Sequence, residues 1–335
     1  MANESEHSAY HEDDNNFRIV HSIAQVRKAV KAWRAQGLTV GLVPTMGYLH
    51  AGHRSLIARA VKENDRVVVS DFVNPVQFGP NEDLENYPRD LARDAALVAD
   101  AGGALLFNPS PEEMYFPNRT TAITMSTITE ELCGKSRPVH FGGVCTVVAK
   151  LFNIVAPDRA YFGQKDAQQL LVIRRMVRDL NFDVQVVGCP IVREADGLAM
   201  SSRNTYLQPA ERKAAPVLHR ALEAGRKLAE EGEKSAAAIE ARIREVLATE
   251  PLAEPEYVEV VDLETVHPVA TLDRPVLVAI AVRIGKTRLI DNFFFPDFDT
   301  LPLAGADADG ADGAGAAAAA GSHAASDAHT DAKEA

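Results

Sequence analysis

The chain has 335 residues, with 35 Lys and Arg against 47 Asp and Glu and a net charge of −12; that length argues for about two domains rather than one small module. The first 16 residues and the last 32 each carry −5, which leaves −2 of the −12 for everything between them. A basic nucleic-acid footprint is therefore not visible in the sum, no apolar run reaches the roughly 18 residues that cross a bilayer, and no basic-then-apolar leader opens the chain, so we expect a cytoplasmic protein without a membrane or nucleic-acid partner.

Residues 1–16 hold five acids and no Lys or Arg, and we expect them to be disordered. From Phe17 onward strands and helices alternate. Leu38 to Val43 is a short β-branched apolar run, and residues 53 to 63 follow as a helix with Leu56, Ile57, Ala60 and Val61 on one face. Arg66 to Val73 returns to strand. A helix starts near Pro88, which suits a first turn, and stops at Gly102-Gly103. Ala104 to Phe107 is a strand, Val144 to Val155 a buried helix, Ala160 to Phe162 a strand, Asp166 to Leu180 a helix and Phe182 to Val187 a strand.

This spacing predicts βαβ units in an α/β fold: a doubly wound parallel sheet with helices on both faces. Ligand sites in such sheets lie at the carboxyl ends of strands, near the point where strand order reverses. After about Arg193 the texture changes. Helices over about 209 to 231 and 235 to 249 precede the strands Tyr257 to Leu263 and Val276 to Ile284, a smaller C-terminal α+β unit. We therefore expect a first domain over 17–192, a second over 193–299 and a disordered tail over 300–335. The last 32 residues hold 15 Ala and 5 Gly with no large apolar side chain, too little burial to offset their ordering entropy. Cys133, Cys145 and Cys189 show no C-x-x-C spacing and read as inert thiols in a reducing compartment.

Four clusters carry chemistry. Pro44 to His53 (PTMGYLHAGH) joins a strand end to a helix start with two glycines and two histidines three residues apart, and a helix N-terminus offers N–H groups to phosphate. Phe72 to Asp83 (FVNPVQFGPNED) supplies the amides of Asn74 and Gln77, suited to hydroxyl or carboxylate groups. Tyr161 to Gln169 (YFGQKDAQQ) sets Lys165 and Asp166 after Gly163 at a strand-to-helix junction. Ala199 to Asn204 (AMSSRN) adds two hydroxyls and a guanidinium able to grip polyphosphate. Taken singly each has a plainer reading: histidines capping a helix, turn residues fixed by Pro75 and Pro80, a solvated lysine. Zinc would need a Cys or a third His near His50 and His53, and none is close in sequence.

In this order the four clusters, with YPRD, SRPVHFGGVCTVVAKLFN, GCPIVREADG and RLIDN, resemble the pantothenate synthetase family, the pantoate–β-alanine ligases of coenzyme A biosynthesis. The resemblance runs from about Phe17 to Asn292. It implies a Rossmann-like nucleotidyltransferase domain with an H-x-G-H signature, a smaller C-terminal lid domain and a homodimer. The implied reaction uses ATP and (R)-pantoate to form pantoyl adenylate and pyrophosphate with Mg²⁺, after which β-alanine displaces AMP.

Carried over by position, the resemblance puts the ATP site on Met46, Gly47, Tyr48, Leu49, His50, Ala51, Gly52 and His53, continued by Gly163, Gln164, Lys165 and Asp166. Val192 falls near the adenine, and Met200, Ser201, Ser202 and Arg203 fall on phosphate. His53, His50 and Lys165 take the catalytic roles, Gln77 and Gln169 hold pantoate, and Asn74 and Arg137 lie near substrate. Asp94 and Asp166 are the positions it brings toward Mg²⁺. The sequence departs from the family pattern at Asp71, where an apolar residue is usual on the strand, and at Gly142, where a charged or polar residue is usual. A different nucleotidyltransferase of the same superfold, and a catalytically silent nucleotide-binding scaffold, are the two competing readings.

Overall fold

Short runs of Val, Leu and Ile build the main sheet, and they are apolar on both sides because helices cover both sides. The computed structural model describes residues 17–80 and 82–301; the acidic first 16 residues and the alanine-rich tail from 302, both expected to be disordered, lie outside the described residues. The first part runs β1 (Arg18–Val20), α1 (Ile23–Ala35), β2 (Val40–Thr45), α2 (Ala51–Glu63), β3 (Arg66–Asp71), α3 (Leu91–Asp100) and β4 (Leu105–Phe107). Two short helices, α4 (Pro111–Met114) and α5 (Leu132–Ser136), lead to α6 (His140–Val155), β5 (Arg159–Gly163), α7 (Ala167–Asp179) and β6 (Gln185–Cys189).

The six strands pair in the order β1-β4-β3-β2-β5-β6, all parallel. The chain therefore winds one way from β2 through β3 to β4 and the other way from β5 to β6, so order reverses between β2 and β5. A crevice opens at such a reversal because the two following connections leave on opposite faces. Side chains alternate across the sheet: Val40 and Leu42 join α1, α6 and α7 in one core, while Val43 joins Leu56, Ile57 and Ala60 of α2 in another. This is the doubly wound α/β fold expected.

The second part holds α8 (Pro209–Ala214), α9 (Val217–Glu230), α10 (Ala236–Leu247), β7 (Ala253–Asp262), β8 (Val276–Ile284) and β9 (Thr287–Phe295). Its three strands form an antiparallel sheet in the order β7-β8-β9. One face packs on α9 and α10 through Val258, Val278 and Ile280; the other, with Leu277, Ala279, Ala281 and Phe294, belongs to the main core. The two sheets thus share apolar contacts. The single helix expected over 209 to 231 is broken in two, because Pro216 has no N–H to continue the ladder. Helix α1 and strand β9 were not foreseen. All three cysteines are free and buried, and among the described residues no helix is long and apolar enough to cross a membrane.

Candidate active site

The turn between β2 and α2 lies at the reversal point. Gly47 has φ 82° and Tyr48 φ 50°, and a Cβ at Gly47 would collide with the Asp71 carboxyl, so glycine is required twice over. Thr45 Oγ1 donates to the Ser70 carbonyl at 2.7 Å, and the Tyr48 and Leu49 N–H groups both donate to Asp94, each at 2.6 Å. His50 caps α2: its Nδ1 accepts the Gly52 N–H at 3.1 Å, while His53 Nδ1 accepts the His50 N–H at 3.3 Å.

Those two bonds determine the tautomers. An Nδ1 that accepts leaves the proton of a neutral imidazole on Nε2. Burial lowers the pKa of His50 to about 4, aided by Lys165, and burial, His50 and Lys165 hold His53 well below its ordinary value. Both rings are therefore neutral at pH 7, and both line the cavity at the end of the sheet. Each ring thus carries an Nε2–H and no fixed charge.

The turn after β3 is braced from within. Asn74 is almost completely buried; its Nδ2 donates to Gln77 Oε1 at 3.0 Å and to the Gly143 carbonyl at 3.1 Å, and its Oδ1 accepts the Tyr115 hydroxyl at 2.7 Å. Gly143 lets α6 approach this turn, since a Cβ there would strike the Val76 and Gln77 backbone. Gln77 Nε2 points to Met46 Sδ at 2.9 Å. Asn74, expected near substrate, is among the residues lining the inner cavity, and its amide, committed to this bracing, holds Gln77. Gln77, Gln169 and Met46 line one cavity.

Three cations converge on the same space. Lys165 follows β5 in a short 3₁₀ turn (Gln164–Asp166), 3.6 Å from the Asp166 carboxylate. Arg203 makes a two-pronged pair with Asp83, both bonds 3.0 Å, and Arg137 pairs with Glu82, its Nε at 2.9 Å. Ser202 Oγ donates to the Tyr48 carbonyl at 3.1 Å, tying the Met200–Arg203 loop to the β2–α2 turn. A cavity of about 740 Å³ between the two sheets and one of about 210 Å³ at the histidines share Arg137, His140, Lys165, Gln169 and Arg203 as walls. They form one cleft. Its inner part is also lined by Gly52, Gly163, Asp166, Val192, Met200, Ser201 and Ser202.

Several expected site residues stand elsewhere. Gly47, Tyr48, Leu49, Ala51 and Gln164 line neither cavity. Leu49 is fully buried, and the Tyr48 ring lies 4.6 Å from the Arg93 guanidinium, so this stretch shapes the turn instead of touching a ligand through its side chains. Asp94 is corrected as a metal position: its oxygens are taken by two backbone N–H groups, it is fully buried, and it does not face the cleft. Among the described residues no group of three or more His, Cys, Asp or Glu could hold a metal. Asp166 does line the cleft, and a single carboxylate suffices for Mg²⁺ when phosphate oxygens and water supply the rest.

Residues not foreseen include His140, whose Nδ1 donates to the Gln77 carbonyl at 3.1 Å and whose pKa burial and Arg137 lower to about 4. Glu82 and Asp83 were visible only as letters in the second cluster, because their arginine partners lie 55 and 120 residues away. Asp71 ends β3 with its carboxyl against Gly47, and burial, together with Asp94, raises its pKa to about 7. At Gly142 a Cβ would meet only the Ile123 carbonyl, at 3.5 Å, so the departure there relieves no clash.

A doubly wound sheet whose reversal point carries two neutral histidines at a helix start, with three cations around one cleft, defines a nucleotide-dependent enzyme of the H-x-G-H type. The family model for pantoate-beta-alanine ligase matches residues 18–294. The pantothenate synthetase of Clostridium acetobutylicum is 61% identical over 277 residues, 83% of this chain and 99% of that protein. That of Ruminiclostridium cellulolyticum is 57% identical over 282 residues, 84% of this chain and all of the relative. Among solved structures, pantothenate synthetase from Thermus thermophilus superposes with a TM-score of 0.78 at 50% identity, over 83% of this chain and 99% of that one. Pantoate-beta-alanine ligase from Francisella tularensis, complexed with beta-gamma ATP and beta-alanine, gives 0.68 at 34% identity, over 83% of this chain and 97% of that one. The chain belongs to the pantoate–β-alanine ligase family. It is a ligase of pantothenate biosynthesis, condensing pantoate with β-alanine at the expense of ATP.

Proposed function

We propose that the cleft runs this condensation in two steps through a pantoyl adenylate, with the residues lining it in the following roles. A carboxylate is a poor acyl donor because its leaving group would be oxide. In the first step a pantoate carboxylate oxygen bonds to the α-phosphorus of ATP as the bond to pyrophosphate breaks. Negative charge grows on the five-coordinate phosphorus, and donors already aimed there stabilise it more than the ground state. The Nε2–H groups of His50 and His53, with Lys165 and Arg203, supply that stabilisation. Gln77 and Gln169 hold pantoate by its oxygens, with Asn74 fixing Gln77. The positive end of the α2 dipole adds to the phosphate site, as helix starts do.

In the second step the amine of β-alanine bonds to the acyl carbon, the bond to AMP breaks, and the nitrogen loses its proton. No nucleophilic side chain is needed, so proximity and exclusion of water carry this step. Arg137, on the wall shared by both parts of the cleft, meets the substrates' carboxylates, whereas neutral His140, whose Nδ1 proton is given to the Gln77 carbonyl, offers only an acceptor Nε2 there. Mg²⁺, held by Asp166 and the phosphates, would neutralise pyrophosphate as it leaves. We also propose, on the family resemblance, a cytoplasmic homodimer in which residues 193–299 close as a lid over 17–192.

The observation that carries the reading is the convergence of two imidazole donors, three cations and two glutamines on one cleft at the sheet's reversal point. The test is AMP release with each substrate omitted in turn. Release requiring both pantoate and β-alanine, with pyrophosphate exchange requiring pantoate alone, is expected. AMP release without pantoate, or a nucleotidyl group retained in the product, would overturn it.

A further inference from the structure

Strand β9 belongs to the second sheet, yet its central dipeptide reaches both loops that bring cations to the cleft. Asn292 is 3% exposed, and its Nδ2 donates to two successive carbonyls of the first sheet's catalytic turn, Gln164 at 3.0 Å and Lys165 at 2.9 Å. Its neighbour Asp291, 2% exposed, takes Arg193 in a two-pronged pair at 2.6 and 3.1 Å. Arg193 begins the hairpin, closed by a bridge to Ala199, that delivers Met200 to Arg203. The Asn292 backbone N–H donates to Asp291 Oδ1 at 2.8 Å, fixing the Asp291 carboxylate to the strand on which Asn292 stands.

The amide stands there at a cost. Asn292 Oδ1 is buried with no hydrogen-bond partner, and an amide oxygen desolvated without a donor is destabilising. A residue placed only for packing would avoid that penalty. What the position uses is the pair of N–H donors, and what they hold is the backbone on which Lys165 is mounted. The short 3₁₀ turn has poor hydrogen bonds of its own, so an external clamp determines where the lysine projects.

We infer that Asn292 is a positioning residue for the ligase reaction, clamping the Gln164–Lys165 carbonyls from the second sheet so that the Lys165 ammonium is fixed at the phosphates. The inference rests on the proposed role of Lys165, and a double-substitution cycle separates the two. Pantoate-dependent ATP–pyrophosphate exchange is measured at saturating substrates for Asn292→Ala, Lys165→Ala and the pair, with thermal midpoints alongside. Asn292→Ala is expected to lower exchange at least about 10-fold, since displacing a group by a fraction of an ångström costs this much. Lys165→Ala is expected to lower it at least about 100-fold, and adding Asn292→Ala to it to change the rate by less than about 2-fold, because coupled residues are not additive.

If the Asn292→Ala factor recurs in full on the Lys165→Ala background, the effect is general destabilisation and the inference fails. It fails equally if Asn292→Ala alone leaves exchange within about 2-fold of the parent. Near-normal exchange by Lys165→Ala would instead overturn the site reading. Should Asn292→Ala not fold, Asn292→Ser, which keeps one donor, takes its place with an intermediate loss expected; no loss with the serine overturns the clamp.

Discussion

His50 and His53 face each other across the first turn of α2 with ring centroids 4.1 Å apart and planes inclined by 37°. Two protonated imidazoles would repel at that distance; two neutral ones, each accepting a backbone N–H at Nδ1, keep an Nε2–H donor apiece. His53→Ala therefore removes one donor from the developing phosphorane and one backbone cap. We expect pantoate-dependent pyrophosphate exchange to fall roughly 10²-fold or more, with circular dichroism unchanged. Near-normal exchange in the folded variant would remove His53 from the proposed chemistry.

Asp71 provides a stability prediction with a definite sign. Its carboxyl is held protonated by burial and by Asp94, with a pKa raised from 3.8 to about 7. The folded chain then binds more protons than the unfolded chain between pH 4 and 7, so stability is full below the unfolded pKa and is lost as pH rises through 7. Asp71→Asn should raise the thermal midpoint by about 3 °C or more near pH 8 and by less than about 1 °C near pH 4. Equal shifts at the two pH values would contradict this.

Asp83 holds the Arg203 guanidinium by two bonds of 3.0 Å. A two-pronged pair fixes the plane of the guanidinium as well as its place. In Asp83→Asn the arginine keeps its charge and loses its orientation, so we expect the KM for ATP to rise about 5- to 10-fold with a smaller change in kcat. Steady-state kinetics at saturating pantoate and β-alanine check this; a fall confined to kcat would assign Arg203 to the transition state alone.

The tail is expected to be dispensable for turnover. The family match ends at Phe294, and among the described residues the last to line the cleft is Asn292. Residues 304–335 are Ala, Gly and Asp for the most part, with no convergent set of polar groups to offer a ligand. Deleting them should leave kcat and KM within about 2-fold of the full chain; a larger loss would show that the tail takes part in the site.

Strands β2, β3 and β5 are legible in the sequence because a strand covered on both faces is an unbroken apolar run, as in Val67-Val68-Val69. Their alternation with helices defines the doubly wound sheet, and the sheet locates the cleft. The glycine and the two histidines of the β2–α2 turn are legible for a related reason: a left-handed residue and a helix cap are local demands. Strand β9 was missed because its run, Thr287 to Phe295, is interrupted by Arg288, Asp291 and Asn292, and the last two are polar for the sake of loops on the other sheet.

By itself, then, the sequence determined whatever depends on neighbours in the chain: the α/β class, the turn that carries His50 and His53, and the clustering of Gln77, Lys165 and Arg203 into recognisable phrases. Tertiary structure decided what those groups are. Burial made the histidines neutral donors, committed Asp94 to the Tyr48 and Leu49 N–H groups and raised the Asp71 carboxyl. It also gave Arg137 and Arg203 their acids, and gave Lys165 its clamp from Asn292, 127 residues further along the chain. Charge state follows from desolvation and from partners that folding brings close, and neither quantity is written in local sequence.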